Sequence, residues 1–177
     1  MRKFQIVWCL VLIASVARSG EPVPPELLNG NRLTIPDLKY SLESPNSDFV
    51  WSQAAPRAFT CVNSKTNLRL VIMAGPSGGQ PHDENAVKNM LAGIKKASAS
   101  QDFEIANEKI EKSEFPLADK SFRLSYEMKL ANGKKAYVFM YSVNIDNKFI
   151  LNITGGGADA AEPPELLKFV KSLRAAP

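Results

Sequence analysis

The most regular stretch of the chain is FRLSYEMKLANGKKAYVFMYSVNIDNKFILNI, residues 122–153. Apolar and polar side chains alternate through residues 122–130, which is typical of a β-strand with one dry and one wet face. The Asn-Gly pair at 132–133 is the strongest short signal for a β-hairpin. Alternation resumes over residues 137–145, and the Asp-Asn pair at 146–147 predicts a second tight turn. This stretch therefore predicts a three-stranded antiparallel meander.

Further strands are predicted before the meander. Residues 39–43 alternate, and residues 58–63 and 68–74 form a pair of apolar runs joined by a polar loop. A strand begins at residues 103–105, and its alternation fails over residues 107–110, which predicts a bulge or bend. Six or seven strands result, and they are mostly antiparallel.

Two amphipathic helices complete the pattern. Asp83 is a suitable N-cap for a helix that ends near residue 100. Its apolar face comprises Val87, Met90, Leu91, Ile94 and Ala97. Pro163 and Pro164 fit the first turn of a last helix. Its apolar face comprises Leu166, Phe169, Val170 and Leu173. The sequence thus predicts one α+β domain in which amphipathic helices pack on the sheet.

The N-terminal residues predict export. A basic start precedes an apolar run over residues 4–17, and small residues then allow cleavage after Ala17 or after Ser19. An uncleaved anchor is the alternative, although the run is shorter than the roughly 20 apolar residues of a membrane span. We expect a signal peptide at 1–19, a flexible leader at 20–32 and a single domain at 33–175. The expected location is periplasmic or secreted, with no stable membrane span after cleavage.

Charge and composition exclude several partners and sites. The 177 residues contain 22 Lys and Arg, of which three lie in residues 1–19, against 18 Asp and Glu. The remainder is nearly neutral, so the sequence predicts no nucleic-acid binding. One His and two Cys exclude sites that need several such ligands. We predict no metal and no cofactor.

Two glycine-rich segments are candidate binding elements. They lie at residues 75–79 and 155–157, and each is predicted to be a loop that leads from a strand into a helix. If both helices cover the same sheet face, the N–H groups at their N-termini could hold an anion. The candidate residues are Gly78, Gly79, Gly155 and Gly156. The alternative is that these glycines only supply unusual backbone angles.

Three other side chains are candidates for function. His82 is predicted to be a solvated loop residue, with ligand or partner binding as the alternative. Trp51 is predicted to fill the edge of the core beside Phe49, or else to anchor a partner or a ligand. Cys61, the only thiol after signal removal, is predicted to be buried and inert, with an intermolecular disulfide or a reactive thiol as the alternative.

Tyr40-Ser41-Leu42-x-x-Pro45, followed by Trp51, resembles the opening of PsbP-like domains. The order of elements also matches, from an early strand pair through a central helix and a meander to a last helix, over about residues 33–174. The resemblance implies an antiparallel sheet between helices, an α/β/α sandwich. The family includes extrinsic photosystem proteins, Mog-type Ran-binding factors, secretion-effector chaperones and DcrB-type bacterial envelope proteins. The secretory signal favours the bacterial exported branch.

Three functions follow as expectations. The first is a non-enzymatic accessory domain of the bacterial envelope that contacts a protein partner through a sheet edge or a loop end. The second is a domain that binds a small apolar or anionic ligand in a cleft near the two glycine-rich loops. The third is a hydrolase that uses His82 or Cys61, although no nucleophile-elbow motif is present.

Overall fold

The computed structural model describes residues 20–35, 38–99, 101, 103–115, 118 and 120–176. The strands in these residues are β1 (Glu21–Pro22), β2 (Leu28–Asn29), β3 (Arg32–Ile35), β4 (Tyr40–Glu43), β5 (Phe49–Ala55), β6 (Ala58–Asn63), β7 (Arg69–Pro76), β8 (Phe103–Lys112), β9 (Lys120–Leu130), β10 (Lys135–Ile145), β11 (Phe149–Gly157) and β12 (Arg174–Ala175). The helices are α1 (Glu84–Ser98) and α2 (Pro164–Lys171), and a short 3-10 helix spans Pro25–Leu27.

The strands form two antiparallel sheets. The large sheet has the order β1-β5-β6-β7-β11-β10-β9-β8, and the small sheet has the order β12-β4-β3-β2. The predicted antiparallel α+β architecture and the β9–β10–β11 meander are confirmed. The predicted strand number is too low, because the structure has eight strands in one sheet and four in another. The pieces that were missed include β1, β2 and β12, which have two residues each and therefore no periodicity to detect.

The large sheet separates two apolar cores. On one face, which we call the α2 face, α2 and the small sheet cover the larger core. This core includes Leu33, Leu42, Phe59, Ile72, Val143, Ile153, Leu166 and Phe169. On the opposite face, the α1 face, α1 packs on β8, β9 and β10. The smaller core includes Val87, Leu91, Ile94, Phe122, Leu124, Val138 and Met140.

These layers form the α/β/α sandwich that the resemblance implied. The anion cleft was expected only if both helices cover the same sheet face. The structure contradicts this condition, because α1 and α2 lie on opposite faces. The reason is in β10, whose side chains are apolar on both faces. Phe139 and Tyr141 enter the larger core, whereas Val138 and Met140 enter the smaller core. Because both faces of this strand must be kept from water, each requires its own cover.

The predicted irregularities of the long strands are confirmed. Asp146 and Asn147 both have a φ of 52° in the turn between β10 and β11. In β8 the pairing with β9 shifts register between Ala106 and Lys109, and Asn107 has a φ of 53°. Asn and Asp tolerate this left-handed conformation better than most residues, which explains their presence there.

Residues 20–32 were expected to be a flexible leader, but the structure gives them defined contacts. Glu21 pairs with Gln53 of β5, and Val23 is buried in the larger core. The described fold therefore includes this segment. The predicted signal peptide at 1–19 lies outside the described residues. Within the described part of the chain, neither helix is both long and apolar enough to cross a membrane.

The glycines at 155–157 belong to strand β11 and do not form the predicted loop. A Cβ on Gly156 would lie 2.1 Å from the backbone oxygen of Tyr137 on β10. A Cβ on Gly155 would lie 2.9 Å from the side chain of Leu70 and 3.3 Å from that of Leu166 on α2. These two glycines allow β10 and α2 to approach β11 closely.

We expect Gly156→Ala to destabilise the protein by about 1–3 kcal/mol, because the new methyl group overlaps the backbone of β10. Gly157→Ala is the matched control, since a Cβ there meets nothing within 4 Å. Urea unfolding of both variants measures the difference. Equal stability of the two variants would contradict the close approach of β10 and β11.

Candidate functional site

Trp51 is a core residue in the structure. It is only 8% exposed, and its ring centroid lies 5.7 Å from that of Phe169 on α2. The indole Nε1 donates a hydrogen bond to the backbone oxygen of Asn31 at 3.1 Å. Both the apolar ring and the polar N–H group of Trp51 therefore have partners inside the protein. This placement matches the first of the two predictions for Trp51 and leaves little of it for a partner.

The two glycine-rich segments lie far apart. Gly78 and Gly79 are in the loop between β7 and α1, with φ values of 63° and 70°. On the β7–β11 pair, Pro76 at one end is opposite Phe149, and Gly155 at the other end is opposite Leu70. About six residues of strand separate these ends, or roughly 20 Å. The expected single cleft near both segments is therefore wrong.

His82 is buried, contrary to the prediction of a solvated loop residue. It is 3% exposed, and its ring meets the ring of Phe122 edge-on at 5.5 Å. Its Nε2 lies 3.2 Å from the backbone oxygen of Ser142 on β10. Since a carbonyl oxygen only accepts, Nε2 carries the proton and Nδ1 is left as an acceptor. Burial lowers the pKa of His82, and the hydrogen bond to Ser142 opposes that shift.

The loop that carries His82 is held against the sheet. We call residues 77–82 the arch. At its start, Ser77 donates its backbone N–H to Lys148 and its hydroxyl to the backbone oxygen of Asn147, both at 2.8 Å. At its end, His82 contacts β10, and Asp83 then caps α1 by accepting from the N–H of Ala86 at 2.9 Å. The arch therefore spans from the β10–β11 turn to Ser142 on β10.

The strands beside the arch carry polar side chains. Ser142 and Asn144 on β10 are almost fully buried, and Asn152 on β11 is opposite Ser142. With His82 they form what we call the His82 cluster. Within the described residues, four atoms of this cluster are buried without a hydrogen-bond partner: His82 Nδ1, Ser142 Oγ, Asn144 Oδ1 and Asn152 Oδ1.

Sequence reasoning found His82 but missed the other three members. Ser142 and Asn144 stand at alternate positions of a strand, where polar residues normally indicate a wet face. The available signal was that this supposed wet side of β10 also carries Val138 and Met140, which is unusual for a solvated face.

Cys61 lies on the other side of the large sheet. It is fully buried in the larger core, and burial raises the pKa of its thiol to about 12. Its thiolate is therefore scarce at neutral pH. His82 belongs to the α1 face, so the structure does not bring the two hydrolase candidates together. Among the described residues, no group of three His, Cys, Asp or Glu side chains could hold a metal ion.

A second polar cluster lies on the α2 face and is fully paired. Arg123 contacts Glu162 through Nε and Nη2 at 2.9 Å each and Glu111 through Nη1 at 2.8 Å. Tyr141 donates its hydroxyl to Glu162 at 2.7 Å, and the guanidinium lies 5.1 Å from the Phe139 ring centroid. These bonds attach the segment before α2 to β8, β9 and β10. We assign this cluster a structural role.

Part of the α1 face has no such cover. We call the side chains of Val50 and Val62, which are paired on β5 and β6, the open patch. Val50 is 62% exposed, and Val62 is half-buried. Beside them, the hydroxyls of Ser52 and Thr60 bond to each other at 2.5 Å. Since α1 packs on β8, β9 and β10, no described helix lies over this patch.

Comparison with known proteins gives a likeness of fold. No protein-family model matches the sequence, and no curated protein does. The solution structure of cyanobacterial PsbP (CyanoP) from Synechocystis sp. PCC 6803 matches with a TM-score of 0.58 and 9% identity, over 81% of this chain and 91% of that chain. A crystal structure from Bacteroides thetaiotaomicron VPI-5482 has a TM-score of 0.49 and 11% identity, over 85% of this chain and 50% of that chain. The first comparison confirms the PsbP-like fold.

The buried His82 predicts a pH dependence of stability. Its pKa in the folded protein is below the ordinary value of 6.5, so the unfolded chain binds the proton more readily. The free energy of unfolding should decrease as the pH falls from about 6.5 toward the folded-state pKa of His82. Above pH 6.5, His82 should cause no loss of stability. Urea unfolding at closely spaced pH values between 7 and 5 measures this loss.

His82→Gln is the control, because glutamine does not titrate and the chain has only one His. Whatever its absolute stability, this variant should lose the decline between pH 6.5 and 5. A decline of the same slope in both proteins would show that His82 is not its source.

Proposed function

We propose that this chain is an exported accessory domain of the bacterial cell envelope, similar to the DcrB-type branch of the PsbP-like family. It acts by binding a protein partner and carries out no catalysis. The PsbP-like fold and the secretory pattern of residues 1–19 support this proposal. The separation of His82 from Cys61, and the high pKa of that thiol, favour a role without nucleophilic chemistry.

The open patch is the observation that carries the proposal. Val50 is the most exposed large apolar side chain of the described residues, and it lies on strand β5 rather than in a loop. Its cross-strand partner is Val62. The Ser52 and Thr60 hydroxyls beside Val50 bond to each other, which leaves one hydroxyl proton for another acceptor. The exposed surface at Val50 itself offers apolar contact.

The charge balance agrees with this mode of binding. Residues 20–177 carry nearly equal numbers of basic and acidic side chains. Long-range attraction to a highly charged partner is therefore weak, and recognition must depend on local fit. An exposed apolar side chain on a sheet, bordered by polar side chains, suits contact with another folded protein.

Export is the first prediction from this proposal. In a bacterial host, the protein should be recovered outside the cytoplasm with a mass that corresponds to cleavage after Ala17 or Ser19. Deletion of residues 2–17 should leave it in the cytoplasm. Intact-mass measurement on cell fractions checks both outcomes. A full-length mass in the membrane fraction would instead support the uncleaved anchor and contradict cleavage.

Partner capture is the second prediction. Crosslinking of the tagged, exported protein in cells, followed by mass spectrometry, should recover one dominant envelope protein. Val50→Lys should reduce its recovery at least tenfold, since a buried charge opposes the contact. Leu167→Lys on α2 is the matched control, because Leu167 is the other exposed large apolar residue of the described part at 37%.

Both variants change an exposed side chain, so both should fold with stability close to that of the parent. Equal loss in the two variants, or no loss in either, would contradict the assignment of the contact to the open patch.

A further inference from the structure

We propose that the arch of residues 77–82 encloses a binding site for one small neutral hydrogen-bond donor, either water or a small hydroxyl compound. The molecule is held by His82 Nδ1, Ser142 Oγ, Asn144 Oδ1 and Asn152 Oδ1. This site is separate from the open patch and does not depend on partner binding.

Strand register brings three of the four side chains together, and the arch places His82 over β10. Ser142 and Asn152 are directly paired on β10 and β11, which places their Cβ atoms about 4.5–5.5 Å apart. Asn144 is two residues along β10 and is diagonal to Asn152, at about 7–8 Å. Since His82 Nε2 lies 3.2 Å from the Ser142 carbonyl, its ring adjoins the same group.

The free atoms of the cluster are mainly acceptors. His82 uses Nε2 as the donor, so its Nδ1 presents a lone pair. Asn144 donates Nδ2 to Asn147 Oδ1 at 2.9 Å, which leaves Asn144 Oδ1 to accept. Asn152 Oδ1 is a third acceptor, and only the Ser142 hydroxyl can also donate. The site therefore has more acceptors than donors, and its ligand must supply the missing donors.

The surroundings favour a neutral donor over an ion. None of the four residues is a carboxylate, and Asp83, which follows His82, caps α1. Lys120 is opposite Asn144 on β9, and the positive end of the α1 dipole begins beside His82. These charges oppose a cation, while the lone pairs of the acceptors oppose an anion. Lys120 also helps to keep His82 neutral, although burial contributes more.

Burial gives the interaction its strength. Each of the four atoms is shielded from bulk solvent. An unpaired polar atom in such a place is unfavourable, and one bridging molecule with two to four partners removes the deficit. Nearly all buried polar groups in native proteins are satisfied in this way or by the protein itself.

The test is a crystal structure at a resolution that shows ordered solvent, of the protein purified from cells and kept free of glycerol and other polyols. We expect density within hydrogen-bond distance of at least two of the four atoms. A one-atom peak identifies water. A larger peak, with a matching added mass by native mass spectrometry, identifies a hydroxyl compound. Density for an anion or a metal ion would overturn the proposal, as would side chains that bond to one another with no density between them.

Variants make the test independent of crystal conditions. Asn152→Leu should remove the bound molecule, and Ser142→Ala provides a second variant in case the first does not fold. Thr154→Val is the control, because Thr154 is on the same face of β11 but outside the cluster. The readout in solution is the ¹⁵N shift of His82 Nδ1, which reports whether this nitrogen accepts a hydrogen bond. Loss of that bond in Asn152→Leu or Ser142→Ala, but not in Thr154→Val, is expected, and an unchanged shift in all variants would overturn the proposal.

Discussion

The structure depends on the burial of strand β10 on both of its faces. Along this strand, Phe139 and Tyr141 enter one core while Val138 and Met140 enter the other. A strand with two apolar faces cannot lie at the surface of a single-layer sheet, because one face would remain in water. The two helices must therefore lie on opposite sides. The α/β/α order follows from this one requirement.

The cover that results is unequal along the sheet. On the α2 face, α2 and the small sheet bury side chains from β5 to β10 in one continuous core. On the α1 face, one helix covers only the β8–β10 end, and the arch reaches the neighbouring part of β10. The β5–β7 end of that face keeps an exposed Val50. The asymmetry places the two proposed binding sites. The arch covers the His82 cluster, and the uncovered end of the α1 face carries the open patch.

The sequence predicted the elements that have a clear local signal. Alternation and turn residues located β9, β10 and β11, and the N-cap Asp83 located α1, because these depend on neighbouring residues alone. The glycines at 155–157 were misinterpreted, since local composition cannot distinguish a loop from a strand that packs closely on its neighbours. The burial of His82 was also missed. It depends on contact with Ser142, sixty residues away, which no local pattern records.

We propose that the uncovered end of the α1 face is the surface that contacts a protein partner. The most direct measurement uses two variants, one with a photo-crosslinking amino acid at position 50 and one with it at position 167. Living cells that export each variant are irradiated, and the crosslinked species are compared. We expect a discrete crosslinked species from position 50 and none from position 167. A crosslink from position 167 alone, or from neither position, would contradict it.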